Sequence, residues 1–367
     1  MRVAVVHDWL SESGGAEKVT RELIDLFHAD TFALVDFLND EDRAFILQGK
    51  HATSTFIQHL PASRRWFRWL LPIFPWAMSR LDLRNYDLIL SSSYAVAKAV
   101  RKRSGQVHVC YIHTPMRYAW VDEAGYLRDH GYTGARAWII KRALRYLREQ
   151  DKANSAQVDL FIANSANVAQ RVNRYYGREA RVLLPPVDGQ VFRLFDGPRS
   201  GYLAVARLVP YKRIDRIIEA FNTLPHLQLT ICGDGPDRAR LQPLAGPNIR
   251  FAGHVPQAEL VAHMQRASAL VCAAVEDLGC TVLEAQACGT PVIALKAGGY
   301  LETVDALHGG RFFDQASVDD IRTAVRVHEA AKSEIAPASL RSSAEPFFRD
   351  RFRERLKQLV DQALHHA

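Results

Sequence analysis

Two carboxylates stand eight positions apart in EDLGCTVLEAQACGTPVIA, residues 276 to 294: Glu276 and Glu284, around a glycine in an otherwise apolar stretch. The preceding run ALVCAAV has the composition of a buried strand, so Glu276 is expected in a loop just past its carboxyl end. Asp277-Leu278-Gly279 turns the chain, and TVLEAQACG is helical in composition up to the stop signal Gly289-Thr290-Pro291. Glu284 then falls in the first turns of that helix, on the side Glu276 occupies. Acids so placed can accept hydrogen bonds from hydroxyls at opposite ends of one polar ligand, and loop amides near Gly279 favour a phosphate or sugar oxygen. The plainer alternative is an exposed helix residue and a solvated loop acid; the apolar surroundings argue against a solvated face.

A second group suits phosphate. Arg207 ends the strand-like YLAVARL and Lys212 precedes the helical RIDRIIEAF. An arginine fork and a lysine point charge can converge there on a diphosphate, although two surface cations are also ordinary in an α/β protein. Gly14-Gly15 lies between the first strand-like run and the helical AEKVTRELIDLF, where glycines let backbone amides approach an anion. It is not a GxGxxG fingerprint. The loop ICGDGPD, with Gly233, reads equally as a binding wall or a simple turn. The five cysteines form no CxxC pair and sit in or beside apolar runs, which suits buried free thiols in a reducing compartment; no metal site is expected from them.

The elements that must position these residues follow one pattern. Short apolar runs alternate with amphipathic segments, as in parallel sheets covered by helices. The first half has VAVVH (3–7), TFALVDF (31–37), DLILSSS (87–93), VHVCYIH (107–113), DLFIANS (159–165) and VLLP (182–185); the second has YLAVARL (202–208), LQLTICG (227–233), IRFAGHV (249–255), ALVCAAV (269–275), PVIAL (291–295) and GRFF (310–313). Between them, LLPPVDGQVFRLFDGPRSG (183–201) contains Pro185-Pro186 and Gly197-Pro198, which forbid a continuous helix. We expect two doubly wound α/β domains, 1–186 and 187–345, with ligands at the carboxyl ends of their strands. The closing helix within 346–367, apolar along Phe348, Phe352, Leu356, Leu359, Val360 and Ala363, is expected to pack back on the first domain.

Charge is segregated. Residues 1–186 carry 26 Lys+Arg against 19 Asp+Glu, and residues 187–367 carry 21 against 21, so the whole excess of +7 lies in the first half. No helix-turn-helix, zinc-finger or RNP motif accompanies it, which argues against nucleic acid. Met1-Arg2 runs straight into VAVVHDW with no signal-like stretch, the expectation for a cytoplasmic chain.

Together these pieces resemble the retaining nucleotide-sugar glycosyltransferases of glycosyltransferase family 4, which have the GT-B fold. Glu276-x(7)-Glu284 looks like that family's signature and continues into Gly298-Gly299; Arg207-x(4)-Lys212, Gly233-Asp234-Gly235-Pro236 and FAGHVP (251–256) match its other segments. The resemblance covers nearly the whole chain. HDWLSESGGAEKV (7–19), LDLRNYDLILSSSYAVAKAV (81–100) and YIHTPMRYAW (111–120) are most similar to bacterial mannosyltransferases of O-antigen and exopolysaccharide assembly. Leu278, where the family commonly has Phe, is a departure that bears on sugar fit.

The resemblance implies roles. Glu284 would hold the ribose of the donor nucleotide and Glu276 the hydroxyls of its sugar. Arg207 and Lys212 would neutralise the diphosphate, assisted by Gly14, Gly15 and the amides of Gly279 and Cys280, with the Gly233 loop as a wall. Val255 would meet the base through its backbone, and His113 would sit beside the donor sugar. His7 and Asp8 are acceptor-side candidates. No metal or other cofactor is implied, and mannose from GDP-mannose is the expected donor; a UDP-sugar donor, or a nucleotide-sugar epimerase or hydrolase on the same fold, are the alternatives.

One segment points to the acceptor. SRRWFRWLLPIFPWAMSRLD (63–82) mixes aromatics with arginines, is broken by Pro72 and Pro75, and is too short to span a bilayer. With Trp66, Arg68 and Trp69 foremost, it suits an anionic membrane surface and a lipid-diphosphate-linked glycan, which would place the enzyme peripherally on the inner face of the cytoplasmic membrane. The alternative is a helix packed in the domain core.

Overall fold

The computed structural model describes residues 1–121, 123–129 and 131–366. Ala367 of the expected closing helix lies outside the described residues. The chain parts into two compact units, one of residues 1–184 with 353–367 and one of residues 185–352. The 183–201 linker carries no helix or strand.

The first unit is built on a seven-stranded parallel sheet, β1 (Val3–His7), β2 (Asp30–Ala33), β3 (Thr53–Ser54), β4 (Leu88–Ser93), β5 (Val107–Ile112), β6 (Leu160–Ala163) and β7 (Ala180–Val182), in the order β3-β2-β1-β4-β5-β6-β7. Its central strands β1, β4 and β5 are buried along their whole length. Both faces are covered by helices, so apolar residues recur without alternation. The second unit has a six-stranded parallel sheet, β8 (Tyr202–Val205), β9 (Leu229–Cys232), β10 (Ile249–Gly253), β11 (Ala269–Cys272), β12 (Val292–Leu295) and β13 (Arg311–Phe313), in the order β10-β9-β8-β11-β12-β13. From its first strand, each sheet runs 3-2-1-4-5-6, the doubly wound order.

Every expected apolar run overlaps a strand: β1 fills its run, β2 begins one residue before its own, β7 shares only Val182 with VLLP, and runs such as YLAVARL and ALVCAAV turn into the loops above the sheet before they end. The strand sequence reasoning missed is β3, two residues long and polar, held on β2 by Phe32 opposite Thr53 and Ala33 opposite Ser54.

Two buried polar anchors shape the carboxyl edge of the first sheet. Asp8, just past β1 and fully buried, accepts the backbone N–H groups of Tyr94, Ala95, Val96 and Ala97 at 2.5 to 3.0 Å, so the loop after β4 folds around it. Burial raises its pKa, against the lowering pull of His7, these backbone donors and Lys98. Beside it, Lys98 is ion-paired with Asp151 of the helix Gly134–Ser155, both about 1% exposed at the side chain. Lys98 Nζ also donates to Ala95 O at 3.0 Å, while Tyr176 Oη and Trp120 Nε1 donate to Asp151 Oδ2 at 2.6 and 2.8 Å.

The helix Arg349–His366 buries Phe352, Leu356, Leu359 and Val360, whereas Phe348 stands just before its first turn and, like Ala363, is only partly buried. Arg353 on it pairs with Glu22 and Asp25 of the helix Gly15–Phe27, in the first unit.

Candidate functional site

In the second unit the proposed donor-side residues lie in the loops past the carboxyl ends of strands, at the start of a helix or, for Glu284, within the helix Cys280–Ala287. Arg207 comes after β8, Gly233 after β9, Val255 after β10, Glu276 after β11 and Gly298-Gly299 after β12. Parallel strands all end on one edge of the sheet, so these loops gather there whatever their distance in sequence. β8 and β11 are neighbours at the point where the strand order reverses, the position at which open α/β sheets take ligands.

The loops are tied to one another. Leu208 N–H donates to Asp234 O at 2.9 Å and Asp237 N–H to Leu208 O at 3.1 Å, laying the Gly233 loop on the Arg207 loop. A Cβ at Gly233 (φ +129°) would stand 1.9 Å from Ala206 O, so only glycine allows that contact. This is a packing reason for the GDGP sequence. The Glu276 loop is clamped by the Gly298-Gly299 turn: Gly299 N–H donates to Glu276 O at 2.9 Å, and Thr303 Oγ1 reaches Leu278 O at 3.2 Å. Leu278 itself is buried.

Gly279 starts the helix Cys280–Ala287 from a left-handed conformation, φ +87°, and a Cβ there would meet the Tyr300 ring at 2.5 Å. Gly279→Ala is therefore expected to cost about 1–3 kcal/mol in stability from strain and to loosen the Glu276 loop, measured by urea unfolding. An alanine variant as stable as the parent would show that the loop relaxes freely.

Glu284 lies on this helix and is 6% exposed, so the solvated-face alternative fails for it. Glu276 is partly buried and its Oε1 is ion-paired with Lys212 Nζ, a pairing sequence reasoning did not foresee, having assigned the two to different parts of a ligand. Lys212 Nζ also lies 5.2 Å from the centre of the Tyr211 ring. Burial pushes the Lys212 pKa down, but the Glu276 carboxylate and then Tyr211 outweigh it and hold the ammonium above its usual range. Its positive charge is thus fixed at neutral pH. Arg207 is exposed. Cys280 is half-buried; the other four thiols are buried, and burial pushes Cys272 and Cys288 up to about 12, which leaves them unreactive. Among the described residues no group of three or more His, Cys, Asp or Glu is placed to hold a metal ion.

In the first unit Gly14-Gly15 follows β1 and His113 follows β5, again on the carboxyl edge. His113 Nε2 is 2.8 Å from Ser92 Oγ at the end of β4. Burial, with His7 nearby, pushes the His113 pKa down to about 3, so the ring is neutral in the physiological range. His7 is fully buried, as is Asp8, so neither is open to an acceptor as expected: His7 bonds Glu17 Oε1 at 3.1 Å and Thr20 Oγ1 at 2.9 Å, and Asp8 holds the loop after β4. A Cβ on Gly14 would meet Glu17 Oε2 at 2.8 Å, so this glycine makes room for an acid. Sequence reasoning missed Glu17, Thr20 and Ser92; the signal was polar Ser91-Ser92-Ser93 inside a strand otherwise buried throughout.

The segment 63–82 divides. Phe67, Phe74, Ala77 and Met78 join the core, while Trp69 is 76% and Trp76 49% exposed, with Arg64, Arg65, Arg68 and Arg80 also outward. Trp66 is half-buried, its indole donating to Pro61 O at 2.8 Å, and Arg68 lies over the Phe67 ring. On the helix Gly134–Ser155, Trp138 and Ile139 are exposed too. Among the described residues no helix is long and apolar enough to cross a membrane.

Two Rossmann-like parallel-sheet domains with ligand-side loops on their carboxyl edges define a GT-B fold. The family model "Glycosyltransferase Family 4" matches residues 13–190 and "Glycosyl transferases group 1" matches residues 194–344, between them most of the chain. The chain belongs to these glycosyltransferases. It is 34% identical over 203 residues, 45% of its own length and 53% of the relative's, to the GDP-mannose-dependent alpha-(1-6)-phosphatidylinositol monomannoside mannosyltransferase of Mycolicibacterium smegmatis. The chain spans about half the length of the curated relatives it matches. Among solved structures it is similar to sucrose-phosphate synthase from Thermosynechococcus elongatus, with a TM-score of 0.76, 17% identity and full coverage of both chains. It is also similar to HepE of Anabaena in complex with UDP, with a TM-score of 0.71, 15% identity and coverage of 99% and 100%. At these identities the structures speak for the fold alone.

Proposed function

We propose that the chain is a retaining mannosyltransferase that moves mannose from GDP-mannose to a lipid-linked oligosaccharide in the assembly of a bacterial surface polysaccharide, O-antigen or exopolysaccharide. The observation that carries it is the Lys212–Glu276 pair at the strand-order reversal of the second unit, a fixed cation beside a carboxylate. The similarity to a GDP-mannose-dependent enzyme supports the choice of donor.

In this reading Lys212 and Arg207 stabilise the charge that grows on the diphosphate as its bond to the anomeric carbon breaks. The acceptor hydroxyl bonds to that carbon from the same face, its proton passing to the departing phosphate oxygen, so the anomeric configuration is kept. Glu276 leaves part of its Lys212 contact to hold sugar hydroxyls. Glu284 holds the ribose, Val255 the base, and the Gly279 and Cys280 amides the phosphate. His113 attends the sugar. Two cations in these roles need no metal.

Thermal stabilisation by GDP, UDP, ADP and their sugar conjugates, with chelator present, tests the donor. A ligand at about 100 times its Kd adds about 2.7 kcal/mol to the folded state. GDP and GDP-mannose are expected to raise Tm, and Glu284→Ala to remove most of that response. A response to a UDP-sugar alone would replace the donor; none to any nucleotide would overturn the reading.

The acceptor side rests on the exposed Trp69, Trp76 and arginines of the first unit, which suit an anionic lipid surface and hence a lipid-diphosphate acceptor and a peripheral place on the cytoplasmic membrane. Replacing Trp69 and Trp76 with Ser is expected to lower flotation with anionic vesicles by about tenfold or more, a loss of ~1.4 kcal/mol. Unchanged flotation of the folded variant would leave these side chains without that role.

A further inference from the structure

Five polar side chains of the first unit form one continuous hydrogen-bonded line. His113 Nε2 meets Ser92 Oγ at 2.8 Å; Ser92 Oγ meets Thr20 Oγ1 at 2.9 Å; Thr20 Oγ1 meets His7 Nδ1 at 2.9 Å; and His7 Nε2 meets Glu17 Oε1 at 3.1 Å, while a longer direct contact of 3.3 Å also joins Ser92 Oγ to His7 Nδ1. Sheet register builds it, since His7 and Ser92 are direct partners across β1 and β4, and His113 follows the last residue of β5, Ile112, which pairs with Ser93. The helix Gly15–Phe27 adds Glu17 and Thr20 from one side. His7, Glu17, Thr20 and Ser92 are all buried, whereas His113 is partly open.

The donor and acceptor count along the line allows two complete arrangements. A carboxylate only accepts, so His7 Nε2 carries a proton toward Glu17. With His7 neutral, its Nδ1 accepts from Thr20, Thr20 from Ser92, and Ser92 from His113 Nε2–H, which leaves a lone pair at His113 Nδ1. With His7 charged, its Nδ1–H donates and every bond reverses: Thr20 donates to Ser92, Ser92 to His113 Nε2, and His113 carries its proton at Nδ1. Each hydroxyl donates once and accepts once in both. Ser92 takes the hydrogen bond at His113 Nε2, so a ligand that bonds this ring would do so at Nδ1.

We propose that His113, Ser92, Thr20, His7 and Glu17 form a proton relay that passes one added proton between the two imidazoles, so that the charge state of buried His7 sets whether His113 Nδ1 accepts from or donates to the ligand. A proton arriving from solvent at Nδ1 pushes the Nε2 proton to Ser92, the Ser92 proton to Thr20 and the Thr20 proton to His7 Nδ1. The imidazolium comes to rest beside the Glu17 carboxylate and His113 stays neutral. The step moves one proton and no electrons between partners. The low pKa of His113, caused by burial and then by His7, keeps the outer ring neutral, as both arrangements require. Other groups facing the line are Asp8, next to His7, with Lys98 close to it; the Tyr94 ring, 5.7 Å from His7 and 6.4 Å from His113; and the Tyr111 ring, 5.2 Å from His113. Thr20 Oγ1 is also 3.0 Å from Ala16 O, an alternative acceptor that competes with the line. Glu17, His7, Thr20 and Ser92 are thus positioning residues for His113, and the inference rests on the proposed function only for the nature of what meets Nδ1.

Histidine-labelled full-length protein, followed by long-range proton–nitrogen NMR across pH, tests the relay, with His7→Gln and His113→Gln assigning the two rings. The His113 Nδ1 resonance is expected to pass from the lone-pair position to the N–H position in step with the titration of His7. Ser92→Ala removes both the Thr20 route and the direct contact to His7 and should abolish that step; Thr20→Val leaves only the 3.3 Å contact and should weaken it, while Thr20→Ser keeps it. A His113 tautomer that ignores His7 in the parent, or follows it as fully in the folded Ser92→Ala variant as in the parent, overturns the relay. The readout needs no sugar transfer, so a chain silent toward every nucleotide sugar would still pass or fail it.

Discussion

Replacing Lys212 with alanine is expected to lower kcat for sugar transfer by about 10²–10³, the usual cost of removing one preorganised group that meets transition-state charge. Lys212 is suited to that effect because its ammonium is held in place and in charge by Glu276 and Tyr211, so nothing has to reorganise as the diphosphate departs. Its removal also strips Glu276 of the cation it faces. Lys212→Arg should restore only part of the rate, since a guanidinium spreads its charge over a planar fork and cannot set a compact point charge where the ammonium meets Glu276. Glu276→Ala should likewise act on turnover, whereas Glu284→Ala, buried on its helix, should act chiefly on donor KM. Steady-state kinetics with GDP-mannose decide it: near-parental constants in Lys212→Ala and in both glutamate variants would overturn the site assignment.

The largest stability effect is expected at Asp151. Truncating it to alanine leaves Lys98 charged and almost wholly buried, with the Tyr176 hydroxyl and the Trp120 indole deprived of their acceptor. Breaking such a pair costs about 3–5 kcal/mol, because the ion left behind keeps its desolvation penalty without its counter-charge. Urea unfolding should show that loss. The double variant Lys98→Met/Asp151→Leu should recover much of it, since no charge then stays buried. A single variant within about 0.5 kcal/mol of the parent would mean that water reaches Lys98. As Lys98 also donates to Ala95 O in the loop Asp8 gathers, a destabilised pair should loosen that part of the sheet edge as well.

Fold class was legible because it depends on a local pattern. Runs such as VAVVH and LTIC are apolar on both faces only when helices cover both, and each ends where a polar residue enters a loop. The same feature made Arg207, His113 and Glu276 legible as strand-end residues. β3 was not, since two polar residues form a strand only because β2 offers them an edge. The 63–82 segment defeated a single assignment because it is short, proline-broken and apolar on two sides, one packed inward at Phe67 and Phe74 and one outward at Trp69 and Trp76.

By itself, then, the sequence determined which residues stand on the carboxyl edges of two parallel sheets, because strand-forming runs and their terminating glycines act within a few residues. Only the tertiary structure decided who meets whom there. Lys212 and Glu276 are 64 residues apart, and Ser92 and His7 are 85 apart. Their meeting depends on β11 lying beside β8 and β4 beside β1, and on register, where a slip of one residue would turn each side chain to the opposite face. An apolar run carries the same pattern whichever neighbour it pairs with. The pairing of charges and the direction of a hydrogen-bonded line are therefore properties of strand order and register.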